Sequence, residues 1–353
     1  MTPISFADSS FADLSFADPS FVDSSSVHSS LAPAPFSQLI GQTQAVELLQ
    51  RVIELQRVAP GYLFVGPEGT GKSLAAKGFA QLLLRASPDL SLEKAEILAR
   101  RIRDRNHPDL LWVEPTYLHQ GKLLTPAEAA AAGLKRKSPP RIRLPQIRDI
   151  ARFLGRPALE SPRAVVVIEQ AERMAEGAAN ALLKTLEEPG RATVILIAPD
   201  QQTLLPTLIS RCQTIPFRRL SHEQMAQVLV QVDQSEILNS TEVLAIAQGS
   251  PGRAIESWQQ LRSLPPDLLI QLERPPATLR AALTVAKEIA QALDTEAQLW
   301  LLDYLQHRYW QQGLSYEAEL AALEKARSYL LGYVQPRLVW EVTLANMAEP
   351  PVG

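Results

Sequence analysis

One octapeptide limits the fold of this 353-residue chain more than any other feature. It fits the pattern G-x-x-x-x-G-K-[ST] and reads Gly66-Pro67-Glu68-Gly69-Thr70-Gly71-Lys72-Ser73. The apolar run at residues 62–65 comes directly before it, and helical spacing begins near Lys72. A strand, a glycine-rich loop and a helix in this order are typical of a phosphate-binding loop, so we expect an α/β domain with a parallel sheet.

The residue types of this loop suit a nucleotide. Glycines let backbone N–H groups turn inward around a phosphate, and the N-terminus of the next helix adds partial positive charge. The Lys72 ammonium can reach β- and γ-phosphate oxygens, and the Ser73 hydroxyl can ligate Mg²⁺. We therefore predict ATP or ADP with Mg²⁺ as the cofactor. The alternative is a loop that keeps its shape and binds nothing.

A hydrolytic site of this type also needs acidic residues at the end of a neighbouring strand. The apolar run at residues 164–168 is followed by Glu169 and Gln170, so an amide occupies one of the two expected acidic positions. Glu169 is the candidate Mg²⁺ ligand. Gln170 is a degenerate catalytic acid, because an amide cannot take a proton from water. We predict that any hydrolysis here is weak or absent; alternatively, both residues are merely polar positions at a strand end.

The hydrophobic pattern divides the chain into four segments. Residues 1–35 carry a Ser-Phe-Ala-Asp-type repeat, which predicts a disordered Ser/Asp-rich tail, with one coil of a pentapeptide-repeat β-helix as the alternative. Residues 36–217 alternate helical stretches with buried-strand runs, including 193–198, around a long polar insert at 86–144. Residues 218–264 predict a small helical lid, and residues 265–353 an all-α C-terminal domain.

Composition excludes several classes of protein. The formal net charge of −3 argues against a globally basic nucleic-acid binder, although the basic stretch at residues 135–152 leaves a local DNA contact open beside a merely solvated surface. Cys212 is the only cysteine, which rules out an internal disulfide and a four-cysteine zinc site. No apolar run approaches the length of a membrane span, and the first Lys or Arg is Arg51. We expect a cytoplasmic chain without zinc or membrane insertion.

Four stretches together resemble a known family. They are IEQAERMAEGAANALLKTLEEP at 168–189, LLPTLISRC at 204–212, FSQLIGQ at 36–42 and NHPD at 106–109. The pattern resembles the AAA+ subunits of the clamp loader of bacterial DNA polymerase III, and within that family the delta-prime type. The resemblance covers about residues 36–347 and implies a P-loop domain, a helical lid and a C-terminal collar that holds subunits in a ring.

The resemblance also implies roles for particular residues. Ile40 and Gly41 fall in the family's adenine-side box, and Arg211 of the Ser-Arg-Cys triplet would act as an arginine finger in a neighbour's ATP site. The alternative is that Arg211 pairs with a carboxylate on its own surface and that Cys212 is a small buried apolar residue. A guanidinium supplied in trans offsets charge that develops on the γ-phosphate. The implied partners are delta and gamma/tau-like subunits, and, through the complex, the sliding clamp and primer–template DNA.

Three departures from the family pattern point to a subunit that assists catalysis in a neighbouring subunit. The cysteines of the family's zinc module are missing between Arg85 and Leu111, and no hydroxyl occupies the sensor-1 position near Ala198. The sensor-2 pattern Gly-Ser-x-Arg has Gly252 where the arginine belongs. Arg253 comes one residue later, about 100° further around the helix.

Two other interpretations stay open. One is an active gamma/tau-like motor ATPase of the clamp loader, with Glu169 as its Mg²⁺ acid. The other is a stand-alone P-loop phosphotransferase, which should be monomeric and needs no arginine in trans. Turnover by the isolated chain that disappears with Lys72→Ala would favour the motor.

Overall fold

The computed structural model describes residues 34–86, 91–134, 139–187, 190–313, 316–332 and 334–348. Of the predicted tail, residues 1–33 lie outside this part of the chain, so that prediction stays untested. The described residues form a parallel α/β sheet domain followed by helices, as the phosphate-loop pattern predicts.

Seven strands are found in the described residues. In chain order they are β1 (Gly61–Val65), β2 (Leu110–Val113), β3 (Tyr117–His119), β4 (Lys122–Leu124), β5 (Ala164–Ile168), β6 (Ala192–Ala198) and β7 (Gln213–Pro216). Five of them form one sheet with the order β2-β5-β6-β1-β7, and all neighbours in it are parallel. Strands β3 and β4 form a separate antiparallel hairpin.

In chain order the α-helices are α1 (Thr43–Glu54), α2 (Lys72–Leu84), α3 (Leu92–Arg103), α4 (Pro126–Ala131), α5 (Leu144–Leu154), α6 (Glu176–Glu187), α7 (Pro206–Ile209), α8 (His222–Gln231), α9 (Thr241–Ala247), α10 (Pro251–Ser263), α11 (Pro266–Gln271), α12 (Leu279–Ala292), α13 (Thr295–Gln311), α14 (Glu317–Leu331) and α15 (Pro336–Ala348). Helices α1 to α7 precede the last strand of this sheet, and α8 to α15 follow it. Short 3₁₀ turns occupy Ala171–Arg173, Gln201–Thr203 and Ser235–Asn239.

The sheet is buried on both faces, which explains why its central strands read as continuous apolar runs. One face packs against α1 and α2 through a cluster that includes Phe64, Phe79 and Phe217. The other packs against α5 and α6 through a cluster that includes Ile147 and Leu182. This sandwich fixes the carboxyl ends of β1, β5 and β6 along one edge, where the phosphate loop lies.

The polar insert predicted at residues 86–144 contains a strand that its hydrophobic pattern did not place. Leu110–Val113 within it is the edge strand β2, paired with β5. The strand is short, and only its end residues Leu110 and Val113 are buried, so its pattern lacks the long apolar run of the other strands. The stretch at residues 106–109, one of the four that resemble the family, directly precedes this strand.

Asp109 fixes the start of β2. Its buried carboxylate accepts hydrogen bonds from the backbone N–H groups of Leu159, Glu160 and Ser161 at 2.6, 2.8 and 2.9 Å. These bonds connect the beginning of β2 with the loop that leads into β5. A buried carboxylate needs such partners because desolvation of an unpaired charge is costly.

The helices after β7 form two further hydrophobic clusters. The first joins α8, α9 and α10 around Met225 and Leu229, and the second joins α11 to α15 around Leu305 and Trp340. Ile246 of α9 belongs to the second cluster, so the two groups of helices share packing. Within the described residues no strand follows Pro216, in line with the helical pattern of the sequence. In that same part of the chain, the helices are too short or too polar to cross a membrane.

Candidate nucleotide-binding site

A cleft of about 440 Å³ lies at the carboxyl edge of the sheet. Its floor is the phosphate loop at residues 68–74. One wall is formed by the strand ends at Glu169 and Ala198, another by residues 38–40 before α1, and the roof by α8 and α10. The fold therefore brings the predicted loop, the predicted acid and the predicted lid into one concave site.

The loop glycines are required by backbone geometry. Gly66, Gly69 and Gly71 have φ values of +152°, +71° and +96°, a region that disfavours residues with a Cβ atom. A Cβ atom on Gly66 would also lie 2.2 Å from the carbonyl oxygen of Phe217. The loop is thus held in a tight turn against the start of the segment that leads into the lid.

Lys72 is buried beneath this loop. Its Nζ atom donates hydrogen bonds to the carbonyl oxygens of Gly66 at 2.5 Å and Pro67 at 2.6 Å. Burial lowers the pKa of Lys72 to about 8, although the nearby Glu68 and Glu172 carboxylates act in the opposite direction. The ammonium group is therefore poised to exchange loop carbonyls for the stronger acceptors of a phosphate.

The two positions predicted after β5 face the cleft together. Glu169 lines it, and its Oε1 atom lies 3.8 Å from Nη2 of Arg105, which in turn stacks on Trp112. Gln170 also lines it, with a positive φ of 49°. An arginine beside Glu169 offsets part of the charge that would attract a cation.

Sequence reasoning missed a third residue of this wall, Glu172. It lies in the 3₁₀ turn after Gln170, and its Oε2 atom is buried without a hydrogen-bond partner. Burial raises the pKa of Glu172, and the charge of Glu68 adds to the rise. The only sequence signal was a second glutamate soon after the strand end.

These side chains fit a Mg²⁺ ion bound together with a nucleotide. Mg²⁺ prefers oxygen ligands and is commonly held by one or two protein oxygens plus phosphate. The Ser73 hydroxyl and a carboxylate oxygen of Glu169 or Glu172 are candidate ligands, and the Oε2 atom of Glu172 is buried without a hydrogen-bond partner. Bound there, Mg²⁺ would neutralise phosphate charge. Among the described residues no three His, Cys, Asp or Glu side chains are grouped to hold a metal by themselves.

The lid sits directly on the loop. Ser250 Oγ donates to the Glu68 carbonyl oxygen at 2.6 Å, and the Gly252 N–H donates to the Gly69 carbonyl oxygen at 3.1 Å. A Cβ atom on Gly252 would lie 2.6 Å from the Cα atom of Gly69. No side chain fits at position 252 in this arrangement, so Gly252 meets Gly69 through backbone atoms, beside the side-chain hydrogen bond that Ser250 makes to Glu68.

Arg253 does not reach the cleft wall. Its Nη2 atom lies 3.6 Å from Oδ2 of Asp303 on α13, and Arg327 of α14 pairs with the same carboxylate. The arginine one position late in the sensor-2 pattern therefore connects the lid with the C-terminal helices.

The two residues of the predicted adenine-side box have different positions. Ile40 lines the cleft, whereas Gly41 has a φ of +76° and packs against Gln224 and Leu220 of the lid. Gln42, which sequence reasoning did not single out, is buried, and its Nε2 atom donates to the carbonyl oxygens of Thr70 and Arg218. It joins the segment before α1 to the phosphate loop and to the start of the lid.

Arg211 lies at the opposite edge of the sheet from the cleft. It precedes β7, which runs parallel to β1, and its carbonyl oxygen is 3.1 Å from the Cβ position of Gly61 at the start of β1. The phosphate loop begins after the other end of that strand, five residues along. Cys212 beside it is packed against Gly61, and burial raises the pKa of its thiol to about 12, so it is an inert packing residue.

Comparison with known proteins agrees with this architecture. The family model described as "DNA polymerase III, delta subunit" matches residues 41–221, and the model described as "Cyanobacterial DNA polymerase III delta prime, C-terminal domain" matches residues 223–347. The chain belongs to the DNA polymerase III delta-prime family. The resemblance predicted from the sequence is thereby confirmed, as is the P-loop α/β domain followed by helices.

Individual relatives of this delta-prime family member are similar over part of their length. DNA polymerase III subunit delta' of Bacillus subtilis and that of Pseudomonas aeruginosa are each 35% identical to it over 199 residues, which is 55% of this chain and 53% and 54% of theirs. The chain thus spans about half the length of these relatives. DNA polymerase III subunit tau of Bacillus subtilis is 29% identical over 248 residues, 67% of this chain and 39% of that one. A solved Thermotoga maritima gamma-subunit-related protein is 16% identical, covers 86% of this chain and 98% of its own, and has a TM-score of 0.46.

Proposed function

We propose that this delta-prime family member is an assisting subunit of a cytoplasmic clamp loader, acting with delta and gamma/tau-like subunits to load a sliding clamp onto primer–template DNA. In this role it holds a nucleotide with Mg²⁺ at Gly66–Ser73 and hydrolyses it poorly, if at all. Its contribution to catalysis is Arg211, which completes the ATP site of a neighbouring subunit. The C-terminal helices from residue 265 hold the ring together.

The position of Arg211 carries this proposal. Strand β1 separates the arginine from the chain's own phosphate loop, a distance of about 16 Å at about 3.3 Å per residue. The Arg211 side chain is 37% exposed at its edge of the sheet and pairs there with Glu187 of its own chain. A charged group that cannot reach its own nucleotide, and is nevertheless presented to solvent, suits a site completed by a second subunit.

The chain's own cleft supports the second half of the proposal. A proton acceptor is missing at Gln170, and the lid contributes no cation at position 252. Both are groups that a hydrolytic site uses to orient water or to stabilise charge on the γ-phosphate. The loop geometry and Lys72 are retained, so we expect the chain to bind nucleotide even though it hydrolyses it poorly.

Reconstitution of the loader with an Arg211→Ala variant tests the proposal. We expect DNA-stimulated ATPase and clamp loading to fall by about 10³-fold at the completed site, the lower range for arginine fingers, while assembly of the ring is preserved. Arg218→Ala, at an exposed arginine where the lid begins, is the matched control and should leave both activities unchanged. If the Arg211→Ala complex hydrolyses ATP and loads the clamp at the wild-type rates, the proposal is contradicted.

A second candidate, an active motor ATPase, is favoured by one observation. Glu172 places a carboxylate oxygen without a partner near Lys72, which could replace the acid missing at Gln170. ATP turnover by the isolated chain, abolished by both Lys72→Ala and Glu172→Gln, would establish this candidate. If the isolated wild-type chain turns over ATP no faster than the Lys72→Ala variant, the result would support the role of an assisting subunit.

A further inference from the structure

The charge of the cleft is opposite to what a triphosphate needs. Its charged lining consists of one cation, Lys72, and four carboxylates, those of Glu68, Glu169, Glu172 and Glu256. Arg105 lies beside Glu169 and offsets one of them. Each additional phosphate brought into this space adds negative charge next to the three carboxylates that Arg105 does not offset.

Glu256 is the carboxylate that the lid contributes. It lies on α10 four residues after Gly252, so the two residues occupy the same face of the helix. Gly252 touches the phosphate loop, and Glu256 lines the cleft one turn further along. Burial raises the pKa of Glu256, the charges of Glu68 and Glu296 add to the rise, and the charge of Arg253 acts in the opposite direction.

The expected path of the phosphates leads toward this face. A phosphate loop wraps the β-phosphate at the N-terminus of its helix, and its lysine contacts the β- and γ-phosphates. A γ-phosphate held by Lys72 would enter a cleft that Gln170 and the α10 residue Glu256 also line. Arg253, the nearest cation on the lid, is paired with Asp303 and is not part of the cleft wall.

We propose that Glu256 makes this cleft selective for a nucleoside diphosphate over the corresponding triphosphate. The inference rests on the nucleotide-holding part of the proposed function and specifies which nucleotide class is held. The β-phosphate still finds the loop N–H groups and Lys72. The γ-phosphate meets a carboxylate on the lid and finds no cation there to compensate.

Binding of Mg·ADP and Mg·ATP to the isolated full-length chain, stripped of nucleotide, tests the inference by titration calorimetry. We expect the wild-type chain to bind Mg·ADP about tenfold more tightly than Mg·ATP, a ratio that corresponds to one like-charge repulsion weakened by solvent and salt. Glu256→Gln should remove most of this preference by tightening Mg·ATP binding. Glu256→Arg should reverse it. Glu223→Gln, an exposed glutamate of α8 outside the cleft lining, is the matched control and should keep the wild-type ratio.

Equal binding of the two nucleotides by the wild-type chain, or a ratio unchanged in both Glu256 variants, would overturn the inference. Failure to bind either nucleotide would overturn it as well, together with the nucleotide-holding role. The arginine contribution would survive that result, because the Arg211→Ala comparison reports on the ATP site of a neighbouring subunit. The two failures can therefore be told apart.

Discussion

The Nη2 atom of Arg211 lies 2.7 Å from Oε1 of Glu187, at the end of α6. The Nη1 atom of the same guanidinium donates to the carbonyl oxygen of Thr207 at 3.1 Å. Nη1 also donates to the Ser210 hydroxyl at 3.5 Å. An arginine has five N–H donors, so these three contacts leave others available. The guanidinium is thus held in one orientation while it still faces solvent.

Glu187→Gln should weaken the contribution of Arg211 to a neighbour without unfolding the chain. The substitution keeps the shape of the side chain but loses the charge that orients the guanidinium. Because both side chains are partly exposed, we expect the free energy of unfolding to change by less than about 1 kcal/mol. In the reconstituted loader we expect kcat for ATP to fall severalfold with little change in KM. Glu176→Gln at the other end of α6 is the control, and an unchanged kcat for Glu187→Gln would show that the pair does not position the arginine.

Nucleotide affinity should depend on pH through Lys72. Burial lowers the pKa of Lys72 to about 8 in the free chain, and bound phosphates would raise it by favouring the ammonium form. Binding above pH 8 must therefore take up a proton, and affinity should decrease as the pH rises from 7 to 9.5. Calorimetry in two buffers of different ionisation enthalpy measures this uptake. In Lys72→Arg, which stays charged, the decrease should be absent; an equal decrease there would assign it to another group.

Gly252→Ala should disturb the contact between lid and loop. The new Cβ atom would lie 2.6 Å from the Cα atom of Gly69, so the backbone of one partner must shift. Overpacking of this type destabilises by about 1–3 kcal/mol, which urea unfolding would detect. Gly177→Ala in α6 is the matched control, because nothing lies within 4 Å of its Cβ position. That control should stabilise by up to about 1 kcal/mol. Equal effects of the two variants would argue against a close lid contact.

Asp109→Asn should destabilise the sheet domain most at neutral pH. Burial acts to raise the pKa of Asp109, but three backbone hydrogen bonds prevail and hold it below its usual value. Its stabilising effect is present above the pKa of the unfolded chain, near 3.9, and is lost as the pH falls through the folded-state pKa. An amide keeps one acceptor oxygen of two, so we expect a loss of about 1–3 kcal/mol at pH 7. Thermal unfolding at pH 7 and in acid measures this loss of stability. If the stability difference between Asp109→Asn and wild type does not shrink in acid, this account is contradicted.

Much of the fold follows from local patterns. The strand, glycine loop and helix around Lys72 are adjacent in sequence, and their order is enough to predict a parallel α/β domain. Helical spacing after residue 217 likewise predicted that the described residues after β7 are helical. The short strands β2 and β7 and the final helix α15 were not placed from their patterns, because strands of four residues leave few positions for a periodicity to show.

The make-up of the cleft was only partly predictable. Glu169 and Gln170 were found because they directly follow a buried strand. Glu172 and Glu256 were missed, since one lies in a turn and the other on a helix 84 residues further along the chain. Neither has a local pattern that distinguishes it from a solvated glutamate. Their presence in the same cleft as Lys72 depends on the lid folding back over the loop.

The sequence alone determined that the chain has a phosphate loop, a parallel sheet, a helical C-terminal part and an amide in place of one acid. These properties depend on residues that are close together in the chain. Only the tertiary structure decided that Arg211 lies at the far edge of the sheet from its own loop, that Arg253 pairs with Asp303, and that the lid brings a carboxylate to the cleft. Such placements depend on strand order and on how separate helices pack, because electrostatic contacts are set by distance in space and not by spacing in sequence.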